Sequence, residues 1–180
     1  MHDKLGIFLQ NKRIDEVLKC LEGNVIDIGC GNNRLINKYK KISKNKYSYG
    51  VDVHPWEGID YKVKNSYELP FKENYFDCCA ILASLNHIIE REKVLSEASR
   101  ILKKRGKLII TMINPFIGKI WHKLRSNYDT DQIERGMVSG ELYGLSKRQI
   151  LDLCTNSYFN LISHRKFYVF NNIYIFINDK

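Results

Sequence analysis

The chain has 180 residues, 44% of them apolar, and a formal net charge of +9. That length supports one domain around one sizeable core, and no apolar run is long enough to span a bilayer. Met1-His2-Asp3-Lys4 begins no charged-then-apolar secretory signal, so a cytoplasmic address is expected. Five scattered cysteines (Cys20, Cys30, Cys78, Cys79 and Cys154) form no C-x-x-C pair, which argues against a disulfide framework or a zinc site. Cys30, Cys78 and Cys79 fall in or beside apolar runs and read as small hydrophobes. Basic clusters at 38–46 and 103–107 would suit nucleic acid. No base-reading or base-stacking motif accompanies them, so solvated turns are the favoured reading.

Taken in order, residues 5–22 carry Ile14, Val17, Leu18 and Leu21 at i, i+3, i+4 and i+7, which predicts an amphipathic helix ending near Gly23-Asn24. Residues 24–28 then read as a buried strand that stops at Gly29-Cys30-Gly31, with a helix from about Asn33 to Lys40. Gly29 and Gly31 allow a sharp bend and a close ligand approach, and a strand, glycine turn and helix start together suit a nucleotide. The dinucleotide pattern G-x-G-x-x-G needs a glycine at 34, where Arg34 stands. A strand over 47–53 places Asp52 at its tip, 21 residues beyond Gly31, where a carboxylate can accept both ribose hydroxyls. Pro55 and Gly58 reduce the next crossover to a loop, and Trp56 there serves either an adenine ring or the core.

Short strands are predicted at 61–63 and 78–82. A helix follows from about His87 to Lys104, with Gly106 as its C-terminal glycine, and then a strand at 107–112. Residues 115–124 suggest a short amphipathic helix and 126–140 a polar loop or lid. Ser146 is a good N-cap for a helix carrying Ile150, Leu151 and Cys154. Strand-like runs at 159–167 and 168–177 suggest a hairpin turning near Asn171-Asn172. The whole, residues 1–180, reads as a single domain without internal repeats: an N-terminal helix (1–22), a ligand-binding core (24–114), a lid or substrate region (115–145) and a closing helix and hairpin (146–180).

The order Val25-Ile-Asp-Ile-Gly-Cys-Gly31, Asp52, Leu69-Pro70-Phe71, then Phe76-Asp77 leading into a strand resembles the type 11 group of class I S-adenosylmethionine-dependent methyltransferases. That group is similar to the ubiquinone, menaquinone and sterol methyltransferases, and the resemblance covers roughly residues 24–114. It implies an α/β fold: a Rossmann-like, doubly wound, seven-stranded and mostly parallel sheet with an antiparallel C-terminal strand. The implied cofactor is S-adenosyl-L-methionine, with S-adenosyl-L-homocysteine as product and a small molecule as methyl acceptor. Asp27, Gly29, Gly31, Asp52, Val53, Asn65, Ser66 and Leu82 stand at the cofactor positions. Asn65 replaces the group's adenine-contacting acid, and an amide oxygen can still accept from the adenine amino group.

Asn86-His87 stands where the group commonly has Glu-His, which makes His87 the candidate general base; a structural role at a helix start is the alternative. Ala83 and Asn86 occupy the carboxylate positions of metal-dependent quinone O-methyltransferases, so no metal is expected. The Asn/Asp-Pro-Pro-Tyr signature of amino-methyltransferases is missing after the fourth strand, since Asn114-Pro115-Phe116 follows the fifth. Oxygen or carbon is therefore the expected acceptor atom. His122, Tyr128 and Tyr143 are candidates for substrate contact by location in the lid region. The basic charge keeps an RNA methyltransferase open, and the changes at Asn65 and Asn86 keep open a non-catalytic cofactor-binding or partner protein.

Overall fold

The computed structural model describes residues 4–125, 142–168 and 171–180. Its elements are α1 (Lys4–Leu18), β1 (Val25–Ile28), α2 (Arg34–Ser43), β2 (Tyr49–Asp52), β3 (Tyr61–Lys62), β4 (Phe76–Leu82), α3 (Arg91–Ile101), β5 (Leu102–Ile113), α4 (Pro115–Arg125), α5 (Lys147–Thr155), β6 (Phe159–Phe167) and β7 (Asn171–Asn178). The strands form one seven-stranded sheet in the order β3-β2-β1-β4-β5-β7-β6. β1 to β5 pair in parallel. β7 runs antiparallel to both β5 and β6. The doubly wound α/β architecture is thus as expected, with the final hairpin wedging β7 between β5 and β6.

The parallel centre is apolar on both faces because helices cover both. One layer joins Ile26, Ile81, Ile110 and Phe176 to Val94 and Leu95 of α3 and Ile150 of α5. The other joins Val25, Ala80, Ile109 and Ile173 to Ile14 and Val17 of α1 and Leu35 and Ile36 of α2. The far end of β7 is pinned by Asn178. Its amide accepts from Ser99 Oγ at 2.8 Å and donates to the Ser99 carbonyl at 2.9 Å. Strand order reverses between β1 and β4, and in open sheets the crevice at the strands' carboxyl ends at such a reversal is where ligands bind.

Several boundaries differ from the sequence reading. The first helix stops at Leu18 rather than near Gly23, and α2 runs on to Ser43. The helix expected from His87 begins at Arg91, because residues 84–90 form a turn. In it the His87 N–H donates to the Ser84 carbonyl, and the Arg91 guanidinium donates to the carbonyls of Leu85 and Asn86. That helix ends at Ile101, and β5 begins at once with extended Leu102. Gly106 is not its left-handed cap; Arg105 takes the positive φ, 66°. A glycine is needed at 106 for space, since a Cβ there would lie 2.8 Å from the Lys103 carbonyl oxygen. Asn171 and Asn172 lie within β7, where Asn171 pairs with Phe167 and Asn172 with Lys166.

Candidate functional site

β1 ends in a turn that folds back onto β2. The Gly29 and Cys30 N–H groups donate to the Val51 carbonyl at 2.9 and 3.2 Å. Gly29 (φ 72°) and Gly31 (φ 52°) both adopt the left-handed conformation that favours glycine. Their surroundings differ. A Cβ on Gly29 would lie 2.7 Å from Ser84 Cβ, whereas a Cβ on Gly31 would meet nothing within 4 Å. Gly29 is therefore a packing glycine, and Gly31 leaves its backbone open to a ligand.

Asp52 holds this turn from the tip of β2. One carboxylate oxygen accepts from the Gly31 N–H at 3.0 Å and the other from the His54 N–H at 3.0 Å. Each oxygen keeps a second lone pair for a ligand hydroxyl. Asp27 lies inside β1, only 2% exposed, and its Oδ1 is buried without a hydrogen-bond partner. Burial, reinforced by the charge of Asp52, pushes its carboxyl well above the ordinary carboxylate range. That oxygen is an unfilled acceptor two residues before the glycine turn, free to take a donor. Burial likewise raises the Cys30 thiol above its usual range, so this cysteine is a neutral packing group.

The turn rests on a support that sequence reading missed. Asn33, left-handed at φ 56°, donates through Nδ2 to the Gly58 carbonyl at 2.9 Å and to Asp60 Oδ2 at 2.8 Å. Asp60 also accepts from the Gly50 N–H at 2.8 Å and pairs with Lys40 at 2.9 Å. Burial alone would raise the Asp60 carboxyl, but these donors hold it below its ordinary value. Gly50 has no room for a side chain, because its Cβ would fall 2.0 Å from Asn33 Oδ1. The only local signal was an asparagine at the predicted helix start, a residue that tolerates positive φ.

On the far side, β4 ends at half-buried Leu82, followed by Ala83 at φ 53°. Ser84 Oγ donates to the Ile28 carbonyl at 3.0 Å, which ties this exit turn to β1. His87 is half-buried one turn later. Asn86 is buried and bridges to the last residues of the lid region: its Nδ2 donates to the Leu142 carbonyl at 2.8 Å, and its carbonyl accepts from the Leu142 N–H at 2.9 Å.

Asp27, Gly29, Gly31 and Asp52 thus converge at the carboxyl ends of β1 and β2, with Leu82 and His87 at the end of β4 and in its exit turn. Val53 is 44% exposed just past β2, and Ser66 is buried in the β3–β4 connection. Asn65 closes a local turn there: Oδ1 accepts from the Tyr67 N–H at 3.2 Å and Nδ2 donates to Glu68 at 2.9 Å. Trp56 is half-buried against His54, ring centres 4.4 Å apart, and belongs to neither core layer. Tyr143 is partly exposed beside the Asn86 bridge. Tyr128 and most of the lid region lie outside the described residues, as does the side chain of His122.

Residues 26–110 match the methyltransferase domain family of type 11. A ubiquinone/menaquinone biosynthesis C-methyltransferase of Rickettsia prowazekii is 27% identical over 131 residues, covering 61% of this chain and 53% of its own. The protein of the same description from Vibrio cholerae is 30% identical over 122 residues, covering 59% of this chain and 46% of its own. The chain thus spans about half the length of the curated relatives it matches. In structure it superposes on a chain of the complex between the Haloferax volcanii Trm112 methyltransferase activator and a methyltransferase, with a TM-score of 0.74 over 97% of this chain and 93% of that one at 11% identity, which shows a shared fold. Motif order and strand order agree with the family match, and over residues 26–110 the chain is similar to the type 11 group of class I S-adenosylmethionine-dependent methyltransferases.

Proposed function

We propose that this protein transfers the methyl group of S-adenosylmethionine to an oxygen or carbon of a small molecule. The observation that carries this reading is the glycine turn itself: an open backbone at Gly31, the Asp52 carboxylate beside it, and the orphaned Asp27 oxygen beneath. These groups fit the cofactor. Asp27 would take the methionine ammonium, which supplies the missing donor, and Asp52 would take the ribose hydroxyls on its spare lone pairs. Ser66 and Asn65 would face the adenine, with Asn65 held in place by its own turn. Val53 and Leu82 would flank the bound molecule.

When bound, the cofactor supplies an already electrophilic methyl on a sulfonium centre. The protein's part is to align a nucleophile, exclude water and, for an acidic acceptor, remove a proton. His87, in the exit turn of β4, is the group proposed to take that proton. Carbon as the acceptor atom is supported by the names of the two curated relatives, each a biosynthetic C-methyltransferase.

The test is calorimetric titration with S-adenosylmethionine and S-adenosylhomocysteine, with NAD as control, in wild type and Asp52→Ala. The expected result is micromolar binding of both adenosyl ligands that is lost in Asp52→Ala, with no NAD binding. Failure of both adenosyl ligands to bind the wild type would sink the reading. Labelled-methyl transfer to small-molecule and RNA fractions of a cell extract then identifies the acceptor class.

A further inference from the structure

On the α1 side of the sheet, Ile109 of β5 and Ile173 of β7 pack with Ile14 and Val17, whereas Ile110 and Met112 face the opposite layer. Strand alternation therefore turns Thr111, two residues past Ile109, and Asn171, two before Ile173, toward α1. The two strands bring them close, since Thr111 pairs with Ile173 and Ile113 with Asn171. Arg13 reaches this row from α1 and donates through Nη2 to Asn171 Oδ1 at 3.2 Å. Two polar atoms here are buried without a hydrogen-bond partner: Arg13 Nε and Thr111 Oγ1.

No carboxylate compensates the arginine among the described residues; burial is the one influence on its guanidinium and pulls its pKa down to about 10. A buried charge is costly unless it is paired, and two orphaned donors in one layer together suit an anion. Position separates this pair from the glycine turn. The stripe of α1 that faces α2 carries Gln10, bonded to Arg34, and Asp15, paired with Lys38. Arg13 and Glu16 instead address β7 and β6. Arg13 thus lies over the β5–β7 end of the sheet. On the methyltransferase reading the cofactor occupies the β2–β1–β4 end, which leaves the Arg13 end to the acceptor.

We infer that Arg13 and Thr111 form an anion subsite that holds a carboxylate of the methyl acceptor through the Arg13 Nε–H and the Thr111 hydroxyl. This inference rests on the methyltransferase reading. Both atoms are covered in the structure, so docking requires α1 to yield. The acceptor class that follows is a small molecule bearing a carboxylate in addition to the carbon or oxygen that is methylated.

The probe is sodium benzoate, with benzamide as its neutral counterpart, titrated into the ¹⁵N-labelled protein saturated with S-adenosylhomocysteine. The Arg13 Nε–Hε resonance is assigned by its absence in Arg13→Lys. The expected result is a saturable shift of that resonance with benzoate and none with benzamide, and an affinity about tenfold weaker in Thr111→Val, the loss of one charge-assisted hydrogen bond. No benzoate shift at Arg13 overturns the inference. A shift caused by S-adenosylhomocysteine alone assigns the subsite to the cofactor's own carboxylate and overturns the acceptor assignment. Calorimetry with S-adenosylhomocysteine reports separately on the cofactor. If that ligand fails to bind, the methyltransferase reading falls, and the benzoate response is still read at Arg13 in the unliganded protein.

Discussion

Gly29 and Gly31 share a backbone conformation but not an environment, so alanine at each should fail in a different way. Both have positive φ, which costs an alanine about 1–2 kcal/mol. At Gly31 that is the whole cost to the fold, because the added methyl enters open space. At Gly29 the methyl would stand 2.7 Å from Ser84 Cβ, and overpacking of this kind adds about 1–3 kcal/mol. In a chain of this size each 1 kcal/mol lowers Tm by roughly 2–4 °C. Gly31→Ala should therefore lose a few degrees and Gly29→Ala roughly 4–20 °C. Binding should separate them in the other direction. Gly31→Ala, though well folded, should lose S-adenosylhomocysteine affinity by tenfold or more (on the order of 1.4 kcal/mol), because its methyl occupies the space where the ligand approaches the backbone. Thermal unfolding and calorimetry on the two variants suffice. Unchanged affinity in Gly31→Ala would refute the placement of the ligand over this glycine. Equal Tm losses in the two variants would refute the steric role of Ser84.

Asp27→Asn replaces a buried ionisable carboxyl with a neutral amide of nearly the same volume. A carboxyl with a raised folded-state pKa keeps a proton that the unfolded chain releases, so wild-type stability should fall as pH rises from the ordinary value of 3.8 toward the raised one. The variant should match wild type near pH 3, exceed it in Tm at neutral pH, and bind S-adenosylmethionine more weakly; a Tm advantage that does not grow with pH would count against a raised Asp27. Asn86→Ala should lower stability by about 1–3 kcal/mol, since it leaves the Leu142 carbonyl without its 2.8 Å donor. Urea unfolding of that variant with an unchanged midpoint would show that the Asn86 bridge contributes nothing to the fold.

The sheet was legible because its parallel strands are short apolar runs, and the glycine turn because Asp27, Gly29, Gly31 and Asp52 keep the spacing that a strand–turn–helix imposes. Element ends were less legible. Arg91 rather than His87 opens α3 because carbonyls of the preceding turn are taken by the Arg91 side chain, a contact that periodicity does not encode. Gly106 looked like a helix cap, yet it is required by the nearness of Lys103 and of Asp77 on the neighbouring strand. Asn171-Asn172 looked like a turn, yet both residues extend β7, because asparagine side chains there find partners in Arg13, His164 and Met112.

The alternation of strands and helices, the glycine turn and the acids around it are encoded locally, since each depends on residues within one β–turn–α unit or on the tip of the next strand. Folding alone sets which glycine packs and which stays open, lets Asn33, Gly50 and Asp60 brace the turn, and leaves Arg13 Nε and Thr111 Oγ1 buried without a hydrogen-bond partner. Those properties arise between residues tens to about a hundred positions apart, brought together when the strand order reverses and the last hairpin inserts beside β5. Burial and hydrogen-bond satisfaction depend on that three-dimensional neighbourhood, which no local pattern along the chain specifies.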